Sequence, residues 1–281
     1  FQEHGLSLMQ VMILQSVYSL TVAVTEIPSG YFADFFGRKN SIILSSFFMF
    51  LGYLIFSNYS GFEIFILAEI LVAIGGSLMS GADSAIMYDT LLELKREDQY
   101  TRVEGKTYAI GNFSEAIAGL FGGFLATSSL LLPVQIQTSI LFFAIPISFS
   151  LIEPSINNNN KIRRGYKSIF NVVKYSLSEN LTLKWLIVYS SIIGVASLSA
   201  AWLAQPFFKF LETPIYYYGI LWAALNFTAG IGSYRSYKTE EKYELAKSLF
   251  LLGGLVSFSF LLIYFFSNYI GILFVFIIYY L

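Results

Sequence analysis

Four carboxylates, Glu26, Glu69, Asp83 and Glu115, fall inside apolar runs of a chain whose lysines and arginines keep almost wholly to the connections between those runs. An ionised group within a bilayer costs about 2.5–3.5 kcal/mol on insertion scales, so it belongs in a bundle interior or a watered cavity. Acids gathered there without a fixed counter-charge favour binding a proton, a cation, or one in exchange for the other. Glu26, Asp83 and Glu115 each stand eight or nine residues from the basic end of their run. At 1.5 Å per residue that is about 12–14 Å, and the three are expected to share one layer. Glu69 is expected nearer the opposite side, fourteen residues from Asp83 and on nearly the same face of one continuous helix. Glu115, with Asp83 or Glu26, is expected to carry a proton or to meet a cationic substrate. The alternative is hydrogen-bonded packing, above all for Glu26 beside Pro28. Gln205 and Asn226 interrupt later runs and are expected to line the cavity opposite, while Gly111, Gly119, Gly122 and Gly123 flank Glu115 as a small-residue stripe for helix contact.

The elements that must hold these groups are membrane spans. The 281 residues are 56% hydrophobic and 12% charged, with mean hydropathy +0.65, which is outside the range of soluble domains. A span needs about 20 apolar residues. Nine runs meet or approach that length, at 6–36, 41–58, 62–92, 107–127, 133–152, 183–208, 215–234, 246–267 and 269–281. The run 62–92 is long enough to project beyond the bilayer. Sixteen of the seventeen basic residues fall on alternate connections, Lys209 being the exception. By the positive-inside rule the 37–40, 93–106, 153–182 and 235–247 segments are therefore expected in the cytoplasm. The 153–182 connection divides the chain into helical parts at 1–152 and 183–281. Within it Ile162, Tyr166, Ile169, Phe170, Val173 and Leu177 recur at helical spacing among lysines, a pattern suited to lying on a membrane surface.

The composition excludes several classes of function. A net charge of −1 offers no basic face for nucleic acid. With no cysteine and one histidine, His4, neither a metal site, a cofactor nor a nucleophilic enzyme has the residues it needs.

Between the first two runs stands Gly30-x-x-x-Asp34-x-x-Gly37-Arg38-Lys39. This resembles the loop signature that follows the second helix in transporters of the major facilitator superfamily. The resemblance implies an all-α polytopic bundle of two pseudo-symmetric halves, with these spans as helices two to ten. Helices one, eleven and twelve would then lie outside this chain, in keeping with its start at Phe1 and its end inside an apolar run. It also implies that Asp34, Arg38 and an acid at the end of the fourth helix, for which Asp89 is the match, latch the halves in one state. Gly30 and Gly37 allow close approach and a sharp turn, and Asp34, at a helix carboxyl end, needs a cation. A simpler reading makes Arg38 and Lys39 ordinary cytoplasmic charges. The chain departs from the pattern in three places. Glu69 stands where many members have an arginine, Ala118–Gly123 lacks the Gly-Pro pair of antiporters, and Gly230–Lys242 keeps the basic loop without the Asp.

The expected function is secondary active transport of a small molecule by alternating access, coupled to protons, in the cell membrane, by a monomer. Export of amphipathic or cationic compounds suits buried acids beside aromatics. The alternatives are a nutrient or metabolite importer, or a receptor or scaffold that transports nothing.

Overall fold

The computed structural model describes residues 6–126, 128–129, 131–155, 174–214, 216–242 and 244–280, and these are helical with no strand among them. The helices are α1 Leu8–Phe36, α2 Arg38–Asn58, α3 Phe62–Ser80, α4 Asp83–Glu93, α5 Tyr100–Ala126, α6 Leu131–Phe149, α7 Leu181–Phe210, α8 Tyr216–Lys242, α9 Leu245–Phe265 and α10 Tyr269–Tyr280. Among the described residues six stretches are long and apolar enough to cross a membrane by length and composition: Met9–Phe36, Arg38–Asn58, Phe62–Glu93, Leu131–Phe149, Leu181–Ala201 and Ala246–Phe265. α5 and α8 are equally long but carry charge along their basic ends. Most of the surface-helix pattern in 153–182 lies outside the described residues. Leu177 alone of that pattern is described, in the short turn Tyr175–Glu179.

Several helices overrun the apolar slabs from which they were expected. α2 begins at Arg38 rather than 41, α5 at Tyr100 rather than 107, and α8 continues to Lys242 rather than 234. Hydropathy marks the hydrocarbon layer, whereas the helix continues into the polar boundary as long as its backbone bonds are satisfied. Ends are closed locally. Ser7 and Gln10 form a reciprocal capping box at α1, and the Asn180 side chain accepts from the Leu183 amide at α7, 3.0 Å.

The expected single helix over 62–92 is corrected by a break at Gly81–Ala82. Gly81 sits against the backbone of Gly30 in α1, where a Cβ would stand 3.2 Å from the Gly30 Cα. Gly81 therefore buys a close crossing of α1 that a larger residue would obstruct, and the helix restarts with Asp83 in its first turn.

The chain packs as two units, 1–97 with 125–171 and 98–124 with 172–281. In the first, α3 lies on α2 and α1, and α2 also on α6. Small residues set the α2–α3 distance. The Ser41 hydroxyl donates to the Leu78 carbonyl at 2.8 Å and the Ser45 hydroxyl to the Gly75 carbonyl at 2.6 Å. A Cβ on Gly75 would fall 3.0 Å from the Met49 amide nitrogen and the Ser45 carbonyl, whereas on Gly76 it would make an ordinary 3.6 Å contact with Tyr18. Gly75→Ala is expected to destabilise the protein by about 1–3 kcal/mol and Gly76→Ala by less than half of that. Thermal unfolding in detergent separates the two, and equal midpoints would refute the seam.

In the second unit, α10 packs on α9, α8 and α7 around buried Ala204, Phe208, Leu225 and Val275. Glycines set close approaches between α5 and α8 and between α8 and α10. A Cβ on Gly105 would lie 2.6 Å from the Ser233 carbonyl of α8, one on Gly230 would run into the Phe113 ring of α5, and one on Gly232 into the Tyr280 carbonyl of α10. Packing places 98–124 with the later helices, whereas chain order alone would group it with the earlier ones.

Candidate functional site

At the junction of α1 and α2 the chain turns through one residue. Gly37 has φ +103°, a conformation costly for any residue with a Cβ. The turn brings the carboxyl end of α1 beside the amino end of α2. Asp34 adds a negative charge where the α1 dipole is already negative, and Arg38 adds a positive charge where the α2 dipole is already positive. Each offsets the other. Arg38 Nη1 donates to Asp34 Oδ1 at 2.9 Å and its Nε to Asp89 Oδ2 of α4 at 2.8 Å. The Arg38 and Asp89 side chains are 15% exposed and Asp34 36%, so the guanidinium bridges two acids largely shielded from water. A planar fork suits this geometry in a way that an ammonium does not.

Lys39 contributes its backbone. The amides of Arg38 and Lys39 donate to the two carboxylate oxygens of Glu153, at 3.0 and 2.7 Å. Glu153 thus caps α2 and counters the two cations in its first turn. A Cβ on Gly37 would stand 3.1 Å from that carboxylate, a second reason for glycine there. Two residues on, Ser155 donates through its amide, 3.1 Å, and its hydroxyl, 2.6 Å, to Glu93 at the end of α4. Leu151 packs against buried Ala33, Ile42 and Ala82. Sequence reasoning missed Glu153. Its only signal is an acid directly after an apolar run and before Pro154, which reads equally well as a solvated span end.

The intramembrane carboxylates separate into different settings. Glu26 is exposed and accepts from the Ser80 hydroxyl at 2.6 Å. Asp83 is exposed and accepts from the Ser84 amide at 2.6 Å. The expected continuous face shared with Glu69 is corrected by the break at Gly81–Ala82, after which Asp83 opens a new helix. Glu69 is 6% exposed, on the face of α3 between Phe65, which packs with Leu14 of α1 and Phe56 of α2, and Gly76, where a Cβ would lie 3.6 Å from the Tyr18 hydroxyl. Asn226 is 3% exposed, with its amide donating to the Trp222 carbonyl of its own helix at 3.2 Å. Gln205 belongs to α7, and its side chain lies outside the described residues. Glu115 is exposed on α5, in the second unit. Among the described residues no group of three metal-binding side chains converges.

Stacked apolar helices of span length and a buried charge bridge across helix ends define a multi-pass membrane protein. The profile of the Major Facilitator Superfamily matches residues 1–281, and the chain belongs to that superfamily. It is similar to the uncharacterized MFS-type transporter YxaM of Bacillus subtilis (strain 168), 25% identical over 243 residues covering 84% of this chain. The match covers 59% of that relative's length.

Proposed function

We propose that the protein is a secondary active transporter that moves a small molecule by alternating access, coupled to protons, with export of amphipathic or cationic compounds as its direction and class. The Arg38 bridge to Asp34 and Asp89 carries the reading. It is a shielded charge cluster at the ends of α1, α2 and α4, held in register by Gly30, Gly37 and the Lys39 amide, and it can be made in one state and broken in another. Proton coupling is supported by Glu69, a carboxyl buried on the face of α3 that packs against α1 and α2. Glu26, Asp83 and Glu115 supply further acids, and Gln205 and Asn226 further polar groups, for the transport path. The protein would work as a monomer in the cell membrane with the 37–40, 93–106, 153–182 and 235–247 segments in the cytoplasm.

The test places the full gene product in liposomes holding a pH-sensitive dye, with organic cations, sugars and amino acids added in turn. Expected is substrate-dependent proton movement in the wild type and its loss in Glu69→Gln. Flux without proton movement would remove the coupling. Saturable binding with no flux would replace the transporter by a receptor.

A further inference from the structure

Three cations at the basic ends of α5 and α8 stand together without a carboxylate among them. The guanidinium carbon of Arg102 lies 5.6 Å from the centre of the Tyr237 ring of α8, and the Lys238 ammonium 6.0 Å from the centre of the same ring. Lys106 follows Arg102 by one helical turn, on the same face of α5. All three side chains are exposed. The ion pairs among the described residues use other cations, Arg38, Lys174 and Lys247. Glu104, between Arg102 and Lys106 in sequence, does not answer them. At about 100° per residue it falls on the other side of Gly105 from Arg102, where it lines a cavity shared with Ala229 of α8 and Tyr279 of α10. Two like charges on one ring repel until an anion joins them.

The helices run side by side beneath this patch. A Cβ on Gly105 would lie 2.7 Å from the Ser236 hydroxyl, and Arg102 and Tyr237 meet on one flank of that crossing. Two turns beyond Lys106, on the same face, Phe113 meets Phe227 of α8 with ring centres 5.1 Å apart, and Phe227 is 55% exposed. From the helix ends inward the flank therefore presents cations, then a tyrosine, then an apolar aromatic wall about 10 Å deeper. That order fits an amphiphile with an anionic head. Phosphate oxygens give the guanidinium and the ammonium their counter-charge, while a hydrocarbon tail covers the phenylalanines. A soluble phosphate leaves Phe227 uncovered, and a zwitterionic lipid brings a further cation to a patch that already holds three. We propose that this flank binds one anionic phospholipid, with its phosphodiester between Arg102 and Lys238, Lys106 beside the head group, and a tail along Phe113 and Phe227. The lipid ties α5 to α8 at their crossing. The site depends on residence in a membrane and is independent of transport, its direction and its coupling.

The test titrates the full gene product, delipidated in detergent, with phosphatidylglycerol and phosphatidylcholine of identical acyl chains, and counts bound lipid by native mass spectrometry. The wild type is expected to hold one phosphatidylglycerol at least tenfold more tightly than phosphatidylcholine. Arg102→Gln combined with Lys238→Gln should bring the two lipids within twofold of each other. Arg102→Gln alone should lower the preference at least threefold, and it decides the matter if the double variant unfolds. Lys247→Gln removes one charge at the start of α9, away from this flank, and should leave the preference unchanged. Phe227→Ser should weaken both lipids together. Thermal unfolding without lipid reports whether each variant is folded, and added phosphatidylglycerol should raise the midpoint of the wild type but not of the double variant. A preference that survives loss of Arg102 and Lys238, or that falls as far in Lys247→Gln, overturns the site and leaves only general attraction of anionic lipid to basic helix ends. Displacement of the lipid by an equal concentration of glycerol phosphate overturns it in favour of a soluble phosphate ligand.

Discussion

Arg38→Gln is expected to lower flux in liposomes by at least tenfold, with the protein still folded. The substitution leaves Asp89, 15% exposed, facing Asp34 with no cation between them. Breaking a shielded pair by removing one member costs up to about 3 kcal/mol. At 1.4 kcal/mol per tenfold, the balance between the state that holds the bridge and the state that lacks it then shifts by up to about a hundredfold. Arg38→Lys keeps the charge but cannot reach both carboxylates with a rigid fork, so it should fall between wild type and Arg38→Gln. The measurement pairs initial flux with thermal unfolding in detergent. Flux in Arg38→Gln equal to wild type would make the bridge an ordinary surface charge. A loss of flux matched by collapse of the unfolding transition would make it structural rather than a switch.

Gly232→Val should be among the most destabilising single changes in the second unit. A Cβ at Gly232 would run into the main-chain carbonyl of Tyr280, and backbone cannot rotate away as a side-chain tip does. Relief requires α8 and α10 to separate, which exposes the seam that carries Tyr279. Overpacking costs about 1–3 kcal/mol where side chains can yield, and about 3 kcal/mol or more is expected here. Gly219, also in α8, has nothing within 4 Å of an added Cβ. Gly219→Val should therefore stay within about 0.5 kcal/mol of wild type. Denaturant unfolding of both variants checks the difference, and equal stability would mean that α8 and α10 do not cross at Gly232.

The bridge was legible in the sequence because its parts are mostly local. Asp34 and Arg38 are four residues apart, Gly37 marks a turn, and Asp89 was found through the family resemblance. Glu153 was not legible, since its amide partners lie more than a hundred residues earlier and one sequence has no means of pairing them. The break in 62–92 left a readable signal that hydropathy overrode. Ser80-Gly81-Ala82-Asp83 places a glycine at a helix end and an acid in the next first turn, but the surrounding residues stay apolar and the run looks continuous. Burial was the least accessible property. Glu69 and Glu26 are both acids in apolar runs, and only helix packing buries one and leaves the other exposed beside Ser80. The close approaches of α5 to α8 at Gly105 and Gly230 and of α8 to α10 at Gly232 involve glycines that look in the sequence like any others in a membrane helix.

The segment from Leu151 to Ser155 is fastened at three places, by Leu151 in the apolar cluster, by Glu153 on the α2 amides and by Ser155 on Glu93. In mechanical terms these are three pins, one in the apolar cluster at the α1–α2 elbow, one at the head of α2 and one at the tail of α4. A plate pinned at one point swivels and at two points flaps, while at three it can do neither. The exit of α6 is therefore expected to move together with the charge bridge rather than independently of it.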